Sequence, residues 1–213
     1  MKYKYGNSWE KYPIEPGEVW GIENGSKIAV HNIFDKLPGW MKADLLFVDP
    51  PWNQGNLSCF YTKADRNDYQ EFEKFADVLF QRIVDIGADT AYIEIGNQMV
   101  FSWLKRLEFI FPYTQAWNVT YYKKYPTNII RGSLLSKVDY DFTGIDEKKC
   151  IDIIANIEAY KVIADPCIGQ GLVGLAAYKA KKPFVGTELN KRRLAVLVDK
   201  ISKLGGEFVK TEL

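Results

Sequence analysis

Two stretches of this sequence carry residue types at spacings that could do chemistry. In DLLFVDPPWNQG (44–55), an apolar run, Leu45–Val48, ends in Asp49, Pro50, Pro51 and Trp52. Proline has no backbone N–H, so the carbonyls around it stay out of a regular ladder. The chain either turns a corner there or displays a carboxylate, bare carbonyls and a flat ring at the edge of a pocket. In KVIADPCIGQGLVGL (161–175), a second apolar run enters Asp165, Pro166, Cys167, Ile168, Gly169, Gln170 and Gly171, after which helical spacing begins. The two glycines permit a tight turn and a close backbone approach. The helix start offers unpaired N–H groups to a polar or anionic ligand group. PFVGTELN (183–190) then ends a neighbouring run in Glu188, an acid placed as a partner for ribose hydroxyls. Each signal alone also fits a ligand-free turn or a solvated acid. Together, at the spacing of one strand–helix–strand unit, they point to a nucleoside-bearing cofactor. The strand ends in Asp-Pro rather than in the Gly-x-Gly of a pyrophosphate binder, and the sequence has no Gly-Lys-Ser/Thr phosphate loop.

The elements that must hold these residues follow from hydrophobic period. Strands are expected at Lys27–His31, Leu45–Val48, Thr90–Ile95, Tyr113–Tyr122, Lys161–Ala164 and Pro183–Glu188, with an edge strand at Glu207–Thr211. Helical spacing covers Tyr69–Ile86, Met99–Leu107, Lys148–Ile157, a helix from near Leu172, and Leu189–Leu204, which Gly205 and Gly206 end. Alternating strands and helices predict an α/β fold: a mostly parallel twisted sheet with helices on both faces. Ligands of such sheets sit outside the carboxyl ends of the strands, where both motifs lie.

Bulk composition bounds the function. The 213 residues suit a single domain, and 47% hydrophobic with 26% charged residues suits a packed core. Three cysteines without ligand spacing argue against a disulfide framework or zinc site and fit a reducing cytoplasm. One histidine, His31, disfavours mechanisms that need several, and no metal is expected. No apolar run has the length of a membrane span, and Met1–Tyr5 lacks the apolar stretch of a secretory signal. A net charge of +1 leaves nucleic-acid contact to local patches. One candidate patch is WNVTYYKKYPTNIIRG (117–132), where Lys123, Lys124, Tyr125 and Arg131 interleave positive and aromatic groups. A solvated turn fits that stretch equally well. Lys191, Arg192 and Arg193 read as a solvated helix face.

With these residues in view, the sequence resembles the amino-group methyltransferases that act on nucleic acid bases. DPPW (49–52) is similar to their catalytic signature, and ADPCIGQG (164–171) to their S-adenosylmethionine signature, usually Asp-Pro-Phe-x-Gly-x-Gly. GTELN followed by Arg192, Arg193 and Leu194 resembles their ribose-binding stretch. The catalytic signature comes first, the circularly permuted order of the β-type DNA adenine methyltransferases. The resemblance covers about Ile28 to Leu204. It implies a Rossmann-like methyltransferase fold, one domain over 1–213 with a catalytic half at about 28–126 and a cofactor half at about 143–213. It implies S-adenosylmethionine as cofactor, held by Asp165, Pro166, Cys167, Gly169, Gly171, Glu188 and Asn32. It assigns catalysis to Asp49, Pro50, Pro51 and Trp52. DNA is the implied partner, as a single strand or a duplex with a flipped base, and the implied reaction is transfer to the adenine 6-amino group.

The sequence departs from the pattern in places. Cys167 stands where Phe is common, Gln170 and Leu172 replace a small residue and Thr, and TGIDEKKCIDII (143–154) lacks the usual Lys-Pro. Asn32 stands where an acid often follows the first strand. Only about Thr127 to Lys149 is available for a target recognition domain, too short for one. A minimal, phage- or prophage-like enzyme is therefore expected, with target recognition by short loops, a homodimer or a partner subunit, or with weak sequence selectivity. RNA adenine or the cytosine 4-amino group is the alternative target. A degenerate fold serving as an interaction subunit is the alternative of another class.

Overall fold

The structure, a computed structural model, describes residues 5–211. The stretch Met1–Tyr5, read above as free of a secretory signal, therefore lies, but for Tyr5, outside the described residues. The elements in chain order are α1 (Ser8–Lys11), β1 (Val19–Gly21), β2 (Lys27–Val30), β3 (Leu45–Val48), α2 (Gln54–Lys63), α3 (Phe72–Ile86), β4 (Thr90–Ile95), α4 (Val100–Glu108), β5 (Tyr113–Tyr121), β6 (Tyr125–Ser133), α5 (Glu147–Ile157), β7 (Ile163–Asp165), α6 (Leu172–Lys179), β8 (Phe184–Glu188), α7 (Lys191–Ser202) and β9 (Val209–Thr211).

Among the described residues, nine strands join one sheet, in the order β5-β6-β4-β3-β7-β8-β2-β1-β9. The middle five, β4-β3-β7-β8-β2, are parallel. The flanks are antiparallel: β6 and β5 beside β4, β1 and β9 beside β2. The expected mostly parallel sheet is thus a mixed one with a parallel centre. The two halves of the chain interleave in it, because β3 pairs with β7 and β2 with β8.

Strand alternation sorts the core onto two faces. Leu45 and Phe47 of β3 pack with α5, α6 and α7 through Ile151, Ile154, Val173, Ala177, Leu197 and Ile201. Leu46 and Val48 pack with α2, α3 and α4 through Leu57, Phe75, Leu79, Ile83, Trp103 and Leu107. Helices therefore cover both faces. Helix α3 shows how sequence makes an element: Phe75, Ala76, Leu79, Ile83 and Ile86 recur at helical spacing and are buried, and Gly87 ends the helix in the left-handed region at φ 73°.

Four elements lie outside the sequence expectation, the four-residue helix α1 among them. Strand β1 is only three residues long. Helix α2, QGNLSCFYTK, has just two buried residues, Leu57 and Tyr61, too few to print a period. Strand β6 occupies much of the stretch read as a turn or contact loop. It is buried on both sides with Thr127, Asn128, Arg131 and Ser133 among its residues, so its polarity hides it. Among the described residues, no helix is long and apolar enough to cross a membrane, and no group of three His, Cys, Asp or Glu side chains could hold a metal ion.

Candidate active site

Four adjacent parallel strands, β3, β7, β8 and β2, deliver Asp49, Asp165, Glu188 and Asn32 to the same edge of the sheet, at or just past their carboxyl ends. A cavity of about 260 Å³ opens there. Asp49, Pro50, Pro51 and Trp52 line one end of it; Pro166, Cys167, Glu188 and Asn32 line the rest. The proline tetrapeptide and the glycine loop therefore open onto one shared cavity.

Asp49 is the end point of β3. Its Oδ1 accepts the indole N–H of Trp52 at 3.1 Å, so the tetrapeptide orients its own carboxylate. Burial pushes the Asp49 carboxyl up to about 6, while the Trp52 N–H and the Arg193 guanidinium favour the ionised form. The Trp52 ring lies against Gly96, where a Cβ would come within 3.3 Å of it, and meets Tyr121 edge-on at 5.3 Å. Tyr121 brings the end of β5 into the cavity wall.

The glycine loop is built differently from a simple cradle. Asp165 is buried and does not line the cavity; its Oδ1 accepts the Cys167 N–H at 2.9 Å and shapes the turn. The loop is pinned to β8, since Thr187 Oγ1 donates to the Pro166 carbonyl at 3.0 Å and the Ile168 N–H donates to the Thr187 carbonyl at 2.9 Å. Gly169 and Gly171 have φ of 56° and 79° and serve packing rather than lining. A Cβ on Gly169 would meet the Arg193 guanidinium at 2.5 Å, and one on Gly171 would meet Leu197 at 2.3 Å. Their smallness lets α7 close on the loop.

Glu188 accepts the Asn190 N–H at 2.8 Å through Oε1, and its Oε2 lies 3.8 Å from Arg193 Nε. Asn32 Oδ1 accepts the Phe34 N–H at 3.2 Å and the Tyr61 hydroxyl at 2.8 Å. It therefore links β2 to α2. His31 also lines the cavity, with Nε2 buried and unpartnered; burial lowers its proton affinity. A second cavity, of about 550 Å³, shares His31, Asn32 and Leu189 with the first.

Two sequence readings need correction. Arg193 is not on a solvated face: it lines the cavity, with its guanidinium 4.7 Å from the Phe60 ring centre. It stands in the first turn of α7, where side chains lean back toward the strand ends, a signal present in the sequence. Arg131 is not a surface contact for nucleic acid. It is 2% exposed, pairs with Glu158 at 2.9 Å and donates to the Ser136 carbonyl at 2.6 Å. Lys123, Lys124 and Tyr125 do stand exposed, at the tip of the β5–β6 hairpin next to Tyr121. Phe60, Tyr61 and Leu57 of α2 complete the cavity wall and escape sequence reading along with their helix.

No protein-family model matches this chain, and no curated protein matches it. Solved structures do. M1.HpyAVI superposes with a TM-score of 0.57 at 13% identity, covering 82% of this chain and 97% of its own. TTHA0409 from Thermus thermophilus, a candidate DNA modification methylase in complex with S-adenosyl-L-methionine, superposes with a TM-score of 0.58 at 12% identity, covering 83% of this chain and 93% of its own. The chain has the α/β fold of these structures, a large mixed sheet covered by helices, over more than four-fifths of its length.

Proposed function

We propose that this protein transfers a methyl group from S-adenosylmethionine to an exocyclic amino group of a nucleic acid base, with the adenine 6-amino group of DNA as target. One observation carries the reading: Asp49–Trp52 and the loop at Pro166–Cys167, joined by Glu188, line a single cavity. The fold shared with TTHA0409, a structure that contains this donor, supports it.

The residues present fit the donor. Glu188 Oε2, only loosely engaged by Arg193, is available for ribose hydroxyls. Ile33, Leu57 and Leu189 give the cavity apolar wall. When bound, the donor supplies an already activated methyl group, so no metal is required.

The rest is the work of this chain. An aromatic amino nitrogen is a poor nucleophile because its lone pair is spread into the ring. The Asp49 carboxylate and the Pro50 carbonyl each accept one of its N–H groups, which turns the lone pair out of the ring toward the methyl. The positive charge that develops on nitrogen meets fixed negative groups in a site sheltered from water. Pro50 and Pro51 contribute no competing N–H donors. The extruded base stacks against the aromatic wall of Trp52 and Tyr121. Asp at position 49, where cytosine enzymes more often have Ser, favours adenine. Mass spectrometry of nucleosides from DNA and RNA incubated with protein and donor tests the assignment. N6-methyl-2′-deoxyadenosine from DNA is expected; methylation only of RNA or only of cytosine reassigns the target, and no methylated nucleoside in either polymer sinks the reading.

Trp52 holds Asp49 as well as the base, and the two roles separate by mutation. Trp52→Phe keeps a flat face but loses the N–H at 3.1 Å. A hydrogen bond to a charged group is worth about 1.5–3 kcal/mol, so kcat is expected to fall about tenfold or more. KM for the polynucleotide should change less than about threefold. Steady-state kinetics on one oligonucleotide reads both.

The hairpin tip is the proposed polynucleotide contact. Tyr122 and Lys123 hold φ of 51° and 57°, which presents Lys123 and Lys124 outward beside the cavity mouth. Each phosphate neutralised releases counterion, so replacing both lysines by alanine should reduce the slope of log affinity against log salt by about 2. Fluorescence anisotropy across a salt series measures the slope, and an unchanged slope removes the hairpin from the interface.

A further inference from the structure

We propose that Glu94 and Glu147 form, behind Asp49, a proton-linked subsite for the sulfonium charge of the methyl donor, which releases protons to solvent as the cation enters. The inference rests on the donor proposed above.

Topology puts the three acids together. Val48 of β3 is in register with Ile93 of β4, so the next residues, Asp49 and Glu94, stand side by side on strands about 4.8 Å apart. They share a face, because Phe47 and Tyr92, two residues earlier on each strand, stack at 6.4 Å in the core of that face. Helix α5 starts against the same face: Asp146 bridges to Thr120 of β5, and Cys150, one turn on, joins the core there. Glu147 is the first residue of that helix. Glu94 is 1% exposed and Glu147 3% exposed. Each has a buried oxygen with no hydrogen-bond partner, Oε1 of Glu94 and Oε2 of Glu147.

Among the described residues, no cation pairs with either acid. Arg131 is taken by Glu158, and Arg193 approaches Asp49 and Glu188. The other titratable groups that act on the pair are Asp146 just before α5, Cys150 on it and Tyr121 of β5, while Lys148 and Lys149 of α5 stand exposed to solvent. Asp146 itself is occupied by the Lys123 N–H at 2.6 Å. Acids and neutral groups thus surround the pair, and the missing member is a positive charge. Buried carboxyls without a cation keep their protons. Burial pushes Glu94 well above its ordinary value, with Asp49 and Glu147 adding to it. Burial, then Asp49 and Asp146, push Glu147 up to about 8, against the Tyr122 backbone N–H.

Neither Glu94 nor Glu147 lines the cavity, so a sulfonium beside Asp49 adds the missing charge from across that carboxylate, through a medium of low dielectric. A carboxyl O–H bond then breaks, the oxygen keeps the electron pair, and buffer takes the proton. The sign follows: these groups bind protons more tightly in the free protein than in the complex. The contribution of Glu147 to sulfonium affinity therefore rises with pH toward about 8, its free-protein value, and levels off above it. The limiting slope is about tenfold per pH unit for each proton released. S-adenosylhomocysteine keeps the nucleoside and the ammonium but has a neutral sulfur, so its affinity lacks this dependence. After transfer the charge leaves sulfur, the protons return, and the demethylated product is held less tightly.

The test is calorimetry on the full chain at pH 7 in two buffers of different ionisation enthalpy. S-adenosylmethionine is expected to release about one proton and S-adenosylhomocysteine under about a third of that. Glu94→Gln and Glu147→Gln should each reduce the release by about half or more and flatten the pH dependence of Kd. Affinity for S-adenosylhomocysteine should stay within about threefold in both. An amide replaces a neutral acid of the same shape, so both variants are expected to melt no lower than the parent, which circular dichroism checks. Binding of S-adenosylmethionine without proton exchange, equal exchange for the two ligands, or unchanged exchange in both variants overturns the subsite. Absence of S-adenosylmethionine binding in the parent overturns instead the function proposed above.

Discussion

Replacing Asp49 by alanine is expected to lower kcat for methyl transfer on the order of a thousandfold, while the protein stays folded and binds the donor within about tenfold of the parent. The reason is the asymmetry of its surroundings. Asp49 Oδ1 is held by Trp52, and the carboxyl faces the cavity at the end of β3. In the proposed reaction it supplies the acceptor whose effect is larger in the transition state than in the ground state, when positive charge appears on the amino nitrogen. The proposed partner of the donor's ribose lies elsewhere, Glu188 at the end of β8. A loss divided equally between kcat and Kd would mean that Asp49 serves general binding, and near-parent turnover would remove it from catalysis. Single-turnover rates and calorimetry on the same preparation separate these outcomes. Burial pushes Asp49 up to about 6 in the free protein, so the parent's kcat/KM should fall as pH drops through that value and the carboxylate is protonated.

Arg131→Ala should have the largest effect on stability, a loss of about 3–5 kcal/mol. The guanidinium lies in the middle of β6, 2% exposed, and pairs with Glu158 just past α5. Glu158 Oε1 also accepts the Tyr92 hydroxyl at 2.5 Å, and the Arg131 guanidinium lies over the Tyr92 ring at 5.6 Å. Truncating the arginine strands a mostly buried carboxylate and a carbonyl, that of Ser136, without their donor. In a chain of this size the melting temperature should fall by about 10 °C. Removing both partners, as Arg131→Met with Glu158→Leu, should recover most of the loss, because no charge is then left unpaired. Folded Arg131→Ala protein should keep the parent's salt dependence of polynucleotide binding, in contrast to the hairpin lysine variant. Thermal melts of the single and double variants decide the matter.

The contrast between Arg131 and Arg193 shows where sequence reading stops. The sequence reading places both on the surface: Arg131 in the stretch that also carries Lys123, Lys124 and Tyr125, Arg193 within a basic triplet. What buries them is distant in sequence, Glu158 for the first and the Gly169 loop with Phe60 for the second. Helix α2 escapes for a related reason. Its contacts, Tyr61 to Asn32 and Asn190 to the Lys63 carbonyl, cross 29 and 127 residues of chain, and its own sequence has little periodicity to announce them.

The sequence by itself determined what local physics dictates. Helical spacing marked α3, apolar runs marked β3, β4, β7 and β8, and the lack of proline N–H groups and the freedom of Gly169 and Gly171 marked the strand ends where the candidate site lies. Only the tertiary structure decided which strand ends adjoin, that Trp52 bonds to Asp49, that the glycines make room for α7, and that Glu94 and Glu147 stand unpaired behind Asp49. Period and backbone restriction act over a few residues and are written in them. Pairing, burial and charge compensation act between segments that meet only when the sheet closes.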